Sequence, residues 1–220
     1  MSLLTDINSR LPSLTIECIF DVGANVGQSA VRFRRDFPEA AIHSFEPVSA
    51  TFAELQRTCL AINVSCHQIA LGRDRSEALV SAKGTSSGNR IVTDTKGRTE
   101  SVAVHRGEDF CAEHQITRIG YLKVDTEGRD LDVLIGFAGM LRDQLIDLVQ
   151  VEVGMNETNS LHVPFERVVG FMRPLGYDLF SLYGPAFERD GRPLMRRCNP
   201  VFIAKRLVAP GLALPRAKPS

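Results

Sequence analysis

Five carboxylates and one lysine stand out in this chain by where they fall. Asp21 ends the apolar run "IECIF" and opens "DVGANVG"; Glu46 lies in "SFEP"; Lys123, Asp125 and Glu127 alternate through "YLKVDTEG"; Glu152 follows Gln150 in "LVQVEVG". Charged side chains are scarce in such apolar runs unless they are paired or functional. A carboxylate at a strand end can accept a hydroxyl proton, bind an ammonium or hold a sugar hydroxyl. Period two puts Lys123 and Asp125 on one face of their run and Gln150 and Glu152 on one face of theirs. If the two runs are neighbouring strands, Lys123, Asp125 and Glu152 form one polar cluster beside Glu127. Such a cluster is expected to hold and deprotonate an acceptor; the competing reading is a buried ion pair that orders the strand ends.

The spacing "GANVG" between an apolar run and the helical pattern "QSAVRFRRDF" gives a glycine loop in the context where such loops bind ligands, with backbone amides expected to face the ligand. A P-loop needs Gly-Lys followed by Ser or Thr, and this loop has none. The dinucleotide fingerprint keeps a glycine where the backbone approaches a pyrophosphate, and here Asn25 stands between Gly23 and Gly27. Asparagine tolerates the left-handed backbone the turn needs, so the turn survives while clearance for a pyrophosphate is lost. S-adenosyl-L-methionine, which has adenosine and a charged methionine arm but no phosphate, suits the loop better. The expected cofactor contacts are Asp21, Gly23, Ala24, Asn25, Gly27 and Gln28 in the loop, Glu46 and Pro47 at the next strand end, Gln68 and Ala70 beside the adenine, and Asp125. Glu46 falls about 20 residues past the glycines, where an acid accepts from ribose hydroxyls. Lys123, Glu127 and Glu152 are the expected acceptor contacts, with Asp125 or Glu127 as the proton acceptor and His162 as the reserve.

Composition narrows the alternatives. The chain has 26 basic and 26 acidic residues, so no long-range field draws it to nucleic acid or an anionic membrane. The five cysteines contain no CxxC pair and read as buried thiols in a reducing compartment. No signal-like segment and no run of eighteen apolar residues occurs, which predicts a cytoplasmic protein without integral membrane association. The five histidines lack metal-ligand spacing; three nearby carboxylates have the oxygen chemistry for Mg²⁺, but no metal is expected. A nicotinamide-dependent reductase would want Y-x-x-x-K, and none of the three tyrosines has a lysine at that offset. A non-catalytic nucleotide-binding protein of the same fold is the other alternative.

The elements that must position these residues alternate strand and helix, which predicts one α/β domain with a mostly parallel sheet and helices on both faces. "AAIHSFEP" and "NVSCHQIALG" read as the second and third strands, and "SATFAELQRTCLA" as a helix with a Ser or Thr cap. "RDLDVLIGFAGML" reads as a helix, "IDLVQVEVG" as a strand and "PFERVVGFMRPLG" as a helix. The core is expected over 17–206. Residues 73–106 break the rhythm and read as an inserted β-hairpin, with Arg90, Lys96 and Arg98 in a mobile lid or acceptor-recognition loop. Residues 207–220 read as a loose tail.

Taken in order, "FDVGANVGQ", "SFEP", "LKVDTEGRDLDVL", "LVQVEV" and "LGYDLF" followed by "NPVFI" resemble the FkbM-type family of S-adenosylmethionine-dependent methyltransferases, over Ile19 to Lys205. The resemblance implies a class I methyltransferase (Rossmann-like) sheet of seven strands, with "YDLFSLYG" and "CNPVFIAKR" as the final pair and the last strand antiparallel. It also implies O-methylation of a hydroxyl on a small-molecule or glycan acceptor such as a sugar, glycolipid or natural product. By motif position Asp21, Gly23, Asn25 and Gly27 would face the methionine arm and Glu46 the ribose. Thr126 stands where the family commonly has a hydrophobic residue.

Overall fold

The computed structural model describes residues 2–81 and 99–208. Helix α1 (Leu3–Arg10) leads into strand β1 (Cys18–Val22), α2 (Gln28–Asp36), β2 (Ala41–Phe45), α3 (Ser49–Cys59) and β3 (Ser65–His67). Then come β4 (Ala70–Gly72), β5 (Ser76–Ser81), β6 (Thr99–Arg106), α4 (Gly107–Glu113), β7 (Ile119–Val124), α5 (Asp130–Ile135) and α6 (Ala138–Arg142). The chain continues with β8 (Ile146–Val151), β9 (Val153–Gly154), α7 (Phe165–Met172), β10 (Tyr177–Phe187), β11 (Met195–Ala204) and α8 (Lys205–Val208). The main sheet runs β10-β11-β8-β7-β1-β2-β3, seven strands as expected, and the two-residue β9 adds an eighth by pairing with β11. β1, β2, β3, β7 and β8 are mutually parallel, whereas β11 is antiparallel to both β8 and β10.

Alternation along each strand builds two cores. Phe20, Val22, Leu122, Val124, Val149 and Val151 face α4 to α7, where Phe110, Phe137, Leu141 and Val168 fill one side. Ile19, Ile42, Tyr121, Leu148 and Val201 face the other way, against Ile7 of α1 and Phe33 of α2. β7 and β8 are buried along their whole length, as central strands of a parallel sheet are. That burial makes the charges at their carboxyl ends conspicuous.

Four local expectations are corrected. "NVSCHQIALG" is two strands, because β4 leaves the main sheet and pairs with β6, while β5 and β6 form the expected hairpin in a separate three-stranded sheet. "RDLDVLIGFAGML" breaks after Ile135 into two short helices, α5 packed on β4 and α6 on α4, and at Gly136 between them a side chain would collide with the Gly72 carbonyl. α3 has Val48 at its N-cap and no side-chain cap; the Ser49 hydroxyl instead accepts from the Gln68 amide at 2.9 Å. Leu207 and Val208, placed in the tail, belong to α8. The loop expected around Arg90, Lys96 and Arg98 lies outside the described residues. No helix among the described residues is long and apolar enough to cross a membrane.

Candidate active site

The glycine loop leaves β1 at Val22 and enters α2 at Gln28. Gly23 (φ 78°), Asn25 (φ 50°) and Gly27 (φ 96°) all take the left-handed backbone, so asparagine does carry the turn at the middle position. A Cβ on Gly23 would sit 1.9 Å from the Asp125 carbonyl oxygen, which makes this glycine the point where β1 and the end of β7 approach. Gly27 serves packing: its Cβ would lie 3.0 Å from Thr58 Cγ2, across the contact between α2 and α3.

The loop amides do not face a ligand as expected. Gly23 N and Ala24 N both donate to the Phe45 carbonyl at 3.0 Å, and Gly27 N donates to the Ala24 carbonyl at 3.0 Å. Val26 N donates to Asn25 Oδ1 at 2.7 Å, and Asn25 N donates to Glu46 Oε2 at 3.2 Å. Every amide from Gly23 to Gly27 is thus committed inside the protein. What the loop presents is a close, satisfied backbone surface beside a carboxylate.

That carboxylate is Glu46, buried at the end of β2. Its other oxygen accepts from Val48 N at 2.9 Å. Burial raises its pKa to about 7, against the lowering pull of those two amides. Behind it, His67 stacks on Phe45 with ring centroids 4.9 Å apart, and burial lowers the His67 pKa to about 4, so this wall stays neutral.

A cavity opens between the loop, Glu46 and the small sheet. Gly23, Ala24, Asn25, Gln28, Glu46, Pro47, Ala70, Lys123, Asp125 and Glu127 line it, together with Val48, Thr51, Leu71, Val80 and Thr126. Three expected cofactor contacts are not among its lining residues. Gly27 packs on α3, Gln68 turns to Ser49, and Asp21, with no exposed surface, points to the opposite face of the sheet and pairs with Lys123. Val80, from the inserted hairpin, is a wall residue that period and spacing had not singled out.

The polar cluster forms as the alternation predicted, because β7 and β8 are neighbours with Lys123 opposite Gln150. Lys123 Nζ lies 3.0 Å from Asp21 Oδ1 and 3.5 Å from Asp125 Oδ2. Burial disfavours its charge, but the two aspartates outweigh burial and raise its pKa. Asp125, Glu127 and Glu152 each place a carboxylate oxygen within 4.8 Å of the others. Glu152 sits in the break between β8 and β9, held by His162 Nε2 at 2.8 Å and by the Arg197 guanidinium. His162 is itself fixed by Asn159 Oδ1 at 3.0 Å and lines neither cavity. Glu127 is different: among the described residues it has no ion pair or hydrogen bond, its backbone is left-handed (φ 52°), and burial and then Asp125 raise its pKa. Its turn is held by Asp130, fully buried, which accepts from Thr126 N at 3.0 Å and Gly128 N at 3.1 Å.

A second chamber of about 440 Å³ lies on the α1 and α2 side of the sheet and shares Ser29, Lys123 and Asp125 with the first. Comparison with known proteins fits this architecture. Residues 21–179 match the Methyltransferase FkbM domain. The chain belongs to the FkbM methyltransferase domain family. This FkbM domain is 33% identical to Methyltransferase 1 of Beauveria bassiana, covering 61% of this chain and 64% of that one. It is 23% identical to 31-O-demethyl-FK506 methyltransferase FkbM of Streptomyces tacrolimicus, covering 78% and 76%. The crystal structure of Methyltransferase FkbM from Methylobacillus flagellatus superposes with a TM-score of 0.56 at 14% identity, over 86% of this chain and 44% of that one. The chain therefore spans less than two thirds of the first relative and less than half of the crystallised one. At that identity the superposition speaks for the class I methyltransferase fold alone.

Sequence reasoning missed two parts of this FkbM domain's site. Arg197 comes from the antiparallel β11, and only the β8–β11 pairing brings it to Glu152. Asp130, in the first turn of α5, caps the preceding turn, and its separation of four and two residues from Thr126 and Gly128 is the signal for that role.

Proposed function

We propose that this FkbM domain is an S-adenosylmethionine-dependent methyltransferase that methylates a hydroxyl group on a small-molecule or glycan acceptor. The observation that carries the reading is the glycine loop whose amides are all satisfied internally beside the buried Glu46. Pyrophosphate binding at such loops draws on free amides, and from Gly23 to Gly27 none is left free. A carboxylate with lone pairs remaining on both oxygens suits the two hydroxyls of a ribose. The cavity beyond it, lined by Val48, Ala70, Leu71 and Val80, is apolar enough for an adenine.

S-adenosylmethionine brings an electrophilic methyl on a sulfonium, which an acceptor oxygen takes in line. The chain's own residues do the rest. Gly23, Ala24, Asn25 and Gln28 border the cofactor, and Glu46 orients it. Lys123 and Asp125, which line both cavities, mark where the acceptor hydroxyl meets the cofactor. Of the three clustered carboxylates, Asp125 is balanced by Lys123 and Glu152 by His162 and Arg197. Glu127 is the one left to receive the hydroxyl proton, and its raised pKa makes it the stronger base. His162 acts through Glu152 and is a positioning residue. O-methylation is favoured because the site offers a proton acceptor and hydroxyl-binding carboxylates.

Isothermal titration with S-adenosylhomocysteine, NAD and NADP tests the reading. Micromolar binding of S-adenosylhomocysteine alone is expected, and binding of a nicotinamide nucleotide alone would overturn it.

A further inference from the structure

The second chamber is not what strand alternation should make on a buried sheet face. Below it that face is apolar, with Ile19, Leu148, Val201 and Ile203 in one cluster. Toward the carboxyl ends of β7 and β8 the same face turns polar on three neighbouring strands: Lys123, then Gln150 and Glu152, then Arg197 and Asn199 on β11. Burying that many polar groups is costly unless they serve a ligand or one another. Its volume falls in the range of small-molecule sites.

The hydrogen bonds decide which side of each group faces inward. The Tyr121 hydroxyl donates to Gln150 Oε1, and Gln150 Nε2 donates to Asn199 Oδ1 at 3.3 Å. These bonds engage both amide oxygens and leave the Asn199 amide NH₂ without an acceptor among the described residues. Gly184 makes room for it, since a Cβ there would lie 3.2 Å from Asn199 Nδ2. Tyr183, also in the lining, has donated to Asp6 Oδ2 of α1 at 2.6 Å.

The charges follow the same pattern. Each carboxylate in the lining already has a cation within reach: Asp36 has Arg35, Asp125 shares Lys123 with Asp21, and Glu152 has Arg197. Arg32, at the α2 wall, is the lining cation with no carboxylate partner among the described residues; its contacts are Ser29 Oγ at 3.4 Å and the Phe33 ring. The chamber thus offers the Asn199 amide and the Arg32 guanidinium, a cation with no carboxylate partner among the described residues.

The geometry points to this chamber as the acceptor site, taking a compact hydroxylated molecule that carries an anionic oxygen group, a carboxylate or a phosphate ester, against Arg32 and Asn199. This rests on the methyltransferase reading for what happens to the bound hydroxyl, because the two cavities meet at Lys123 and Asp125. The binding itself does not depend on it.

The test is calorimetric titration of the protein, with and without saturating S-adenosylhomocysteine, using D-glucuronate, D-glucose 6-phosphate and D-glucose at constant ionic strength. At least one anionic sugar should bind about tenfold more tightly than glucose, as expected for one charge-assisted contact. Arg32→Met and Asn199→Leu should each remove most of that preference while leaving S-adenosylhomocysteine affinity as it was. Glucuronate alone binding identifies a carboxylate, and glucose 6-phosphate alone a phosphate. Glucose binding as tightly as both, no sugar binding, or an anion preference that survives Arg32→Met would overturn the proposal. Loss of S-adenosylhomocysteine binding with the sugar preference intact would instead sink the cofactor assignment and leave the chamber standing.

Discussion

The two cavities that meet at Lys123 are built on opposite principles. The cavity beside the glycine loop is shaped on one side by backbone and short apolar side chains, with the amides of Gly23 to Gly27 satisfied internally and the buried carboxylate of Glu46 at its edge. The chamber behind it is made of long polar side chains, most of them in ion pairs, with Arg32 lacking a carboxylate partner among the described residues. A surface of committed backbone fixes shape and tolerates little change in bulk. A surface of paired side chains can be altered one contact at a time. The first suits a ligand that is always the same, the second a partner that sets specificity.

The largest effect that would sharpen this contrast is expected at Gly23. Gly23→Val forces a Cβ onto the Asp125 carbonyl in a left-handed backbone, and should cost about 3 kcal/mol or more of stability. Urea unfolding measures it; a wild-type midpoint would show that β1 and β7 do not approach as described. Next comes the pair beneath both cavities. Asp21→Asn and Lys123→Met should each destabilise by about 3 kcal/mol, because each strands a buried charge, and the double variant by clearly less than their sum. S-adenosylhomocysteine affinity of folded Asp21→Asn should change little, since Asp21 does not line the cavity; a large loss would restore the direct contact that the motif suggested.

Glu127→Gln should lower turnover about a hundredfold, the ordinary contribution of a general base, with cofactor affinity kept. Equal losses in Asp125→Asn and Glu127→Gln would break the distinction between a compensated and an uncompensated carboxylate. Glu46 carries the pH dependence. With its pKa near 7, ribose binding to the ionised carboxylate should strengthen about tenfold from pH 6 to pH 8, read as S-adenosylhomocysteine affinity. The stability sign is opposite. Its folded pKa lies above the ordinary 4.5, so its contribution is fully present below pH 4.5 and is lost as pH rises through about 7. Glu46→Gln should flatten both curves. The smallest effect is at Thr126, whose buried hydroxyl has no hydrogen-bond partner among the described residues. Thr126→Val should leave thermal stability unchanged or raise it by up to about 1 kcal/mol.

Much of this was legible in the linear chain. Residues 20–28 form strand, left-handed turn and helix from local preferences alone, and Gly23, Asn25 and Gly27 behave as their backbone freedoms dictate. The run from Lys123 to Glu127 and the pair Gln150 and Glu152 declared their shared faces by period two, since alternation is a property of any strand. The positions of Glu46, Asp125 and Ala70 in the cavity follow from strands ending at one edge of a parallel sheet.

Other features depended on which strand lies beside which. Asp21 reads as a loop residue facing the ligand, but register sets it against Lys123 on the far face. Arg197 reaches Glu152 because β11 runs antiparallel beside β8, and no spacing between positions 152 and 197 encodes that meeting. The same holds for the chain from Tyr121 to Gln150 to Asn199 and for the commitment of the loop amides to Phe45 and Glu46. Local sequence determined which residues had a given chemistry and which way each strand presented it. Tertiary structure decided which groups neutralise one another, because hydrogen bonds and ion pairs depend on distances between segments that the chain order does not contain.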